Sequence, residues 1–231
     1  PFSTAMAANY DAPPFDATAV GSVNDPPGAD STAMGNDNNA TQSEATAVGS
    51  FNEASGTNST AMGSANIAAN SFSTALGSEN QAIGLQSTAV GTDNLASGLV
   101  AATAVGVENQ ATGAGSTAMG SNNQALDTQS TAVGNLNIAD DTDATALGSF
   151  NHAAAFGSTA VGRGNNASGV GSVAMGNTSA AMGDHSLAYG SLFDADDDGV
   201  AETATTATGA FSTAIGPGAL SGLVWATGHY R

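Results

Sequence analysis

A short motif, threonine-alanine-apolar-glycine, recurs along nearly the whole chain and constrains the fold more than any other feature of the sequence. Its glycine, here called the anchor glycine, returns every 14 residues except for one 15-residue step to Gly106 and a 26-residue step from Gly190 to Gly216. A period this regular is typical of a solenoid, in which each repeat packs against its neighbours. The anchor glycines are Gly21, Gly35, Gly49, Gly63, Gly77, Gly91, Gly106, Gly120, Gly134, Gly148, Gly162, Gly176, Gly190 and Gly216.

Each repeat contains a second, weaker half-repeat. An alanine such as Ala54 follows the anchor glycine by five residues, and a glycine such as Gly56 often comes two residues later. Seven residues accommodate one short strand and a tight turn, so 14 residues form a coil with two strands. Helix is disfavoured because Gly, Asn, Ser and Thr interrupt every few residues. We therefore predict an all-β fold, a parallel β-roll about 70 Å long at the usual strand spacing of about 4.8 Å.

An asparagine stands three residues after the anchor glycine in almost every repeat. This pattern predicts a turn position, because Asn tolerates left-handed dihedral angles and bonds to local backbone. Stacked Asn side chains are also expected to form a ladder from coil to coil. The column consists of Asn24, Asn38, Asn52, Asn66, Asn80, Asn94, Asn109, Asn123, Asn137, Asn151 and Asn165.

The alternation of side chains along a strand indicates which face lies inside the roll. In the first strand Ser, Ala and the anchor Gly share one face, and Thr and the apolar residue share the other. In the second strand the residue between Ala and Gly varies and includes Asp140, which is costly to bury unpaired. We therefore expect the Ala/Gly face inside, with room only for a methyl group or a hydrogen atom. Alanine supplies about half of the 41% of residues that are apolar, which agrees with a thin core.

The apolar residue of the motif is then predicted to point outwards in every coil. A stripe about 70 Å long and about 10 Å wide covers roughly 700 Å² at strand and sheet spacings. Monomers seldom leave so large an apolar patch in water, so we expect it to meet its copies in a cyclic homo-oligomer of two or three chains. The alternative is that the stripe forms the core of the roll. The predicted interface residues are Met34, Val48, Met62, Leu76, Val90, Val105, Met119, Val133, Leu147, Val161, Met175 and Tyr189.

The charge of the chain excludes several classes of partner. Two Lys or Arg residues stand against 20 Asp or Glu residues, a formal net charge of −18. A chain with two cations cannot neutralise a run of phosphates, which excludes nucleic acid and an anionic membrane surface as partners. No apolar run approaches the length of a membrane span, so direct membrane insertion by this segment is not expected. There is no cysteine, and therefore no disulfide.

Runs such as Ser59-Thr60-Ala61-Met62-Gly63 and Ser172-Val173-Ala174-Met175-Gly176 resemble the head repeat of YadA-like trimeric autotransporter adhesins. The resemblance covers nearly the whole chain. It implies a left-handed parallel β-roll assembled side by side as a homotrimer and displayed on a bacterial cell surface. It also implies attachment to host matrix protein, glycan, abiotic surfaces or other cells. The sequence shows no neck, stalk or outer-membrane anchor, which predicts a head fragment.

One acidic segment departs from the repeat. Alternating carboxylates followed by Gly199 resemble the short calcium loops of β proteins, since Ca²⁺ takes six to eight oxygen ligands. We predict a Ca²⁺ site, with a solvated acidic loop as the alternative. The organisation expected is β-roll head repeats over 1–190, an acidic insertion loop over 191–208, and a last coil with a cap over 209–231. The predicted calcium ligands are Asp194, Asp196, Asp198, Val200 and Glu202.

The remaining candidates favour a structural role over a catalytic one. The regular Thr column raises the alternative of an ice- or mineral-binding solenoid, although β-branched residues also simply suit a strand. His152, His185 and His229 share no spacing, and no carboxylate pair typical of a glycan-processing enzyme occurs in the repeat. Phe51 and Phe150 share one repeat position and are candidate partner contacts or interface residues. An adhesin head is predicted, with a purely structural spacer as a further alternative.

Overall fold

The structure, a computed structural model, describes residues 4–8, 16–192 and 203–222. This part of the chain contains strands and turns and no helix. It divides into two compact units, residues 1–123 and 124–231. Each unit is a parallel β-solenoid, in which every coil contributes one long strand and one short strand. The predicted all-β parallel roll of two-strand coils is confirmed.

In the first unit, the long strands lie parallel in chain order and pair only with the preceding and following coil. The long strands are β1 (Thr4–Ala8), β2 (Thr18–Ser22), β3 (Thr32–Asn36), β5 (Thr46–Ser50), β7 (Thr60–Ser64), β9 (Thr74–Ser78), β11 (Thr88–Thr92), β13 (Thr103–Val107) and β15 (Thr117–Ser121). The short strands form a second parallel ladder and are β4 (Asn39–Ala40), β6 (Glu53–Ala54), β8 (Ile67–Ala68), β10 (Gln81–Ala82), β12 (Leu95–Ala96) and β14 (Gln110–Ala111).

The second unit repeats this arrangement. Its long strands are β17 (Thr131–Asn135), β19 (Thr145–Ser149), β21 (Thr159–Arg163), β23 (Val173–Asn177), β25 (Leu187–Gly190) and β27 (Thr213–Ile215). Its short strands are β16 (Gln124–Ala125), β18 (Ile138–Ala139), β20 (His152–Ala153), β22 (Asn166–Ala167), β24 (Ala180–Ala181), β26 (Thr206–Ala207) and β28 (Leu220–Ser221). Strand β26 pairs with β24, so the last residues of the predicted 191–208 segment resume the regular coil.

The sequence period sets the pairing register. Thr60 pairs with Thr74, Ala61 with Ala75 and Met62 with Leu76. The same identity of partners holds across the 15-residue step, where Thr88 pairs with Thr103. The extra residue there is taken up in the turn after the short strand, at Leu99, which is 84% exposed. Within each unit, each column of the sequence is therefore a row of side chains about 4.8 Å apart.

The interior of the coil is lined by alanine from the long strand, by the serine directly before that strand, and by asparagine and alanine from the short side. Ala61, Ala68, Ser59 and Asn66 all have no exposed surface. The predicted inward Ala face is thus confirmed. The expectation that only a methyl group or a hydrogen fits is wrong, because the Asn side chains are the largest that are fully buried.

The asparagines do form the predicted ladder, but from inside the coil. The Asn66 Nδ2 donates to Oδ1 of Asn52 at 3.0 Å and to the carbonyl oxygens of Met62 at 3.0 Å and Gly77 at 2.8 Å. Its Oδ1 accepts from the backbone N–H and the Nδ2 of Asn80. The residue with left-handed dihedral angles is the preceding one, Ala65, with φ of 54°. The predicted turn position and the bond to local backbone are confirmed, because Asn66 lies between β7 and β8 and bonds to Met62. The predicted left-handed dihedral angles are wrong, because the amide is buried and satisfies long-strand carbonyls of two coils.

The anchor glycines also differ from the prediction. Gly63, in long strand β7, is exposed and does not lie in the interior. It is required because its φ is 122°, and because a Cβ built there would collide with the carbonyl oxygen of Gly77 in the next coil. The half-repeat glycines, such as Gly56, are the ones buried in the coil. Glycine is therefore selected at the anchor by backbone approach between coils and not by a lack of interior space.

Replacing Asn66 with leucine is expected to lower the free energy of unfolding by at least about 2 kcal/mol, since each buried polar group left unpaired costs about 1–3 kcal/mol. The matched variant is Asn66→Ser, because Ser179 occupies this position naturally and donates to the Met175 carbonyl at 2.8 Å. Urea denaturation of both variants checks the prediction. If both variants lowered the free energy of unfolding equally, the ladder would not depend on hydrogen bonding, and the prediction would be contradicted.

Candidate oligomer interface

The outer face of the long strands carries two adjacent columns, one of threonine and one of apolar residues. In the first unit, Met34, Met62 and Met119 are 39%, 45% and 40% exposed. In the second unit Tyr189 is 54% exposed. The remaining predicted interface residues are half-buried: Val48, Leu76, Val90, Val105, Val133, Leu147, Val161 and Met175. The apolar column, here called the apolar stripe, thus lies outside the coil in a single chain, as predicted, and the alternative of a core stripe is wrong.

The apolar stripe is continuous within each unit because register keeps its members in one row. In the first unit eight strands from Val20 to Met119 give a strip of roughly 400 Å² at a strand spacing of about 4.8 Å and a width of about 10 Å. Exposed apolar patches of this size are often functional on monomers. The threonines beside it, such as Thr60, are half-buried and lie on the same face.

The acidic residues are kept away from the apolar stripe. None of the long strands in the described part of the chain contains Asp or Glu. Many carboxylates instead occupy left-handed turn positions, such as Asp37, Glu44, Glu79 and Asp93. Chains with a net charge of −18 repel one another, and this placement leaves the long-strand face free of like charges. The face is therefore suited to association between copies.

The first turn, which joins the long strand to the short strand, presents a row of residues in left-handed conformation, many of them exposed. This row is here called the turn row. Phe51 and Phe150 lie here with φ of 57° each and are 59% and 55% exposed. The two phenylalanines identified in the sequence are thus at the surface. Sequence reasoning missed the conformation of this row; the only signal was its variability, since the row also contains Val23 and Gly164.

The predicted calcium ligands Asp194, Asp196, Asp198, Val200 and Glu202 lie outside the described residues. Within residues 4–8, 16–192 and 203–222, no three His, Asp or Glu side chains are grouped so as to hold a metal ion. The Nε2 of His152 lies 2.8 Å from the Oδ2 of Asp140, on the outer side of the short strands. The ring of His185 stacks on the ring of Phe211. His229 also lies outside the described residues.

No helix in the described part of the chain is long and apolar enough to cross a membrane. No curated protein gives a match to this chain. The family described as the YadA head domain repeat matches most of the sequence, at residues 27–52, 54–80, 82–99, 100–123, 111–137, 125–151, 139–165, 153–179, 167–192 and 203–219. Because these matches follow the same 14-residue coils that build the solenoid, the chain belongs to the YadA head repeat family.

Proposed function

We propose that this chain is the head of a trimeric adhesin displayed on a bacterial cell surface, where it attaches the cell to host matrix, glycan, abiotic surfaces or other cells. The observation that carries the proposal is the apolar stripe, which is exposed in one chain and free of acidic residues. Family membership supports a head of this kind. The role proposed is structural and adhesive, not catalytic.

Three copies are proposed to place their apolar stripes against one another, with the short strands and turns facing outwards. The predicted interface residues would then become buried, and the short-strand faces would remain available to partners. An ice-binding solenoid needs a flat Thr face exposed in a monomer. Here the Thr column continues as Val173 and Leu187, which suits burial between chains better than contact with ice.

Light scattering of the full chain tests the assembly. We expect a mass of about three times the 22.2 kDa of one chain. Purified trimer is then passed over surfaces coated with basement-membrane matrix, a mixed glycan array and bare polystyrene, with an albumin-coated surface as the control. Retention on at least one of the first three is expected. A stable monomer would contradict the proposed trimer, and a trimer retained on none of the surfaces would contradict adhesion and favour the spacer alternative.

Calcium binding by Asp194, Asp196, Asp198, Val200 and Glu202 remains a prediction from the sequence. Calorimetric titration of the full chain with CaCl₂ at millimolar concentration is expected to show binding, because carboxylates at this spacing supply the oxygen ligands that Ca²⁺ prefers. Replacing the three aspartates with asparagine is expected to abolish the heat, and chelation is expected to leave the coil folded. The control removes the same charge elsewhere, at Asp140, Asp141 and Asp143. Absence of binding heat in the unmodified chain would contradict the prediction.

A further inference from the structure

The second unit contains a surface groove that the apolar stripe does not include. It has a volume of about 380 Å³ and lies along the first turns of four successive coils. Its lining residues are Phe150, Arg163, Gly164, Asn177, Thr178 and Leu192. The turn row provides a side chain at Phe150 and again at Thr178, and Gly164 stands between them. The missing side chain opens a gap two coil spacings wide, about 10 Å.

Glycine is not demanded at position 164 by backbone conformation. Gly164 has φ of 63°, and the same row holds Val23, Leu136 and Phe150 at nearly the same angle. A Cβ added at Gly164 would lie 3.3 Å from the Cγ2 of Thr178, so even a methyl group begins to fill the gap. What glycine provides at this position is space between the Phe150 ring and Thr178.

The groove also holds the rare cation of the chain. Arg163 and Arg231 are the only basic residues other than histidine in a sequence with 20 carboxylates. Arg163 is exposed, and its guanidinium has no hydrogen bond or ion pair among the residues that the structure describes. A guanidinium that has no partner among the described residues presents a planar pair of N–H donors that matches a carboxylate.

The other groups of the groove define the rest of a ligand. The exposed Phe150 ring offers a flat apolar face. Asn177 is exposed, and its Oδ1 accepts a 3.3 Å hydrogen bond from the Thr178 hydroxyl. The amide of Asn177 adds two N–H donors to the groove. A ligand that meets all of these groups has one carboxylate, a flat C–H face and several hydroxyls. The groove volume lies near the lower end for small-molecule sites.

We propose that this groove binds a carboxylate-bearing sugar, such as a terminal sialic or uronic acid of a glycan. The carboxylate pairs with Arg163, the C–H face of the pyranose ring lies on Phe150, and the hydroxyls bond to Asn177 and Thr178. A polyanionic peptide is disfavoured. Arg163 can pair with one of its carboxylates, and the others are repelled by a chain of net charge −18. This inference rests on the adhesive function proposed above, for which it names a ligand class.

The chain carries its own matched control. Phe51 occupies the same turn position as Phe150 and is equally exposed, but the next coil there provides Ser64 and Ala65 where the groove has Arg163 and Gly164. A site that depends on the cation and the gap is therefore expected at Phe150 and not at Phe51.

The test is saturation-transfer NMR and calorimetry on the full-chain trimer with the α-methyl glycoside of N-acetylneuraminic acid and with methyl β-glucuronide. At least one is expected to bind, and its uncharged methyl ester is expected to bind at least fivefold more weakly. Arg163→Gln, Phe150→Ser and Gly164→Asn are each expected to weaken binding at least fivefold, with Phe51→Ser unchanged. Melting curves confirm that every variant remains folded.

Several outcomes would overturn the inference. These are binding unchanged in Arg163→Gln, equal loss in Phe51→Ser, or tighter binding of an acetylated aspartyl peptide than of either sugar. Sugar binding that appears only after Asp194, Asp196, Asp197 and Asp198 are replaced with asparagine would also overturn the inference. In that case Arg163 would form ion pairs with the chain's own carboxylates. A trimer that is retained on matrix or polystyrene without binding either sugar would refute this inference alone and leave the proposed function standing.

Discussion

Replacing both Val90 and Val133 with aspartate is expected to abolish the proposed trimer. Each valine lies on the outer face of a long strand, one in each unit, and both are half-buried in the single chain. A trimer of this variant would bury six carboxylates among apolar side chains and without a cation nearby. The effective cost of burying one such ion is several kcal/mol, which is more than the about 1.5–3 kcal/mol that burial of the valine it replaces contributes. We expect a monomer or an unfolded chain by light scattering at every concentration at which the unmodified chain is trimeric.

The control for this variant adds the same charge on the opposite side of the coil. Gln81 and Gln110 lie on short strands and are exposed. Their replacement with aspartate is expected to leave the trimer intact, because those carboxylates stay in water. Loss of the trimer in both variants would show that net charge, not the apolar stripe, governs association. Retention of the trimer in the valine variant would contradict the proposed interface.

Replacing Ala89 with leucine is expected to disrupt the coil itself. Ala89 has no exposed surface and faces the interior of the coil. Its strand, β11, pairs through backbone hydrogen bonds with β9 on one side and β13 on the other. Overpacking costs about 1–3 kcal/mol even in cores that can relax. A coil in which every inward row is filled has little room to do so. We expect a fall in melting temperature of at least about 5 °C, since 1 kcal/mol shifts the melting temperature of a chain of this size by about 2–4 °C.

Ser97→Leu is the matched substitution for Ala89→Leu. Ser97 lies just beyond the short strand Leu95–Ala96, and its side chain is on the outer face, half-buried. The added side chain there meets solvent and not the opposite wall of the coil, so only a small change in melting temperature is expected. Equal melting temperatures for the two variants, measured by circular dichroism, would contradict the assignment of the inner and outer faces.

The period of the sequence by itself determined the coil, the pairing register and the outward direction of the apolar stripe. The 14-residue period leaves one way to align Thr60 with Thr74, and side-chain alternation then assigns Ala61 and Met62 to opposite faces. These properties depend on spacing along one chain, and spacing is what a sequence displays.

The tertiary structure decided the properties that depend on how successive coils close upon one another. Asn66 lies inside and Ala65 takes the left-handed conformation, because the buried amide satisfies carbonyl oxygens of its own coil and the next. Gly63 is required by the approach of Gly77, and the gap at Gly164 exists only because residues 14 apart become neighbours in the first turn. These contacts between successive coils depend on the path of the backbone in three dimensions. The residue types of the repeat do not specify that path.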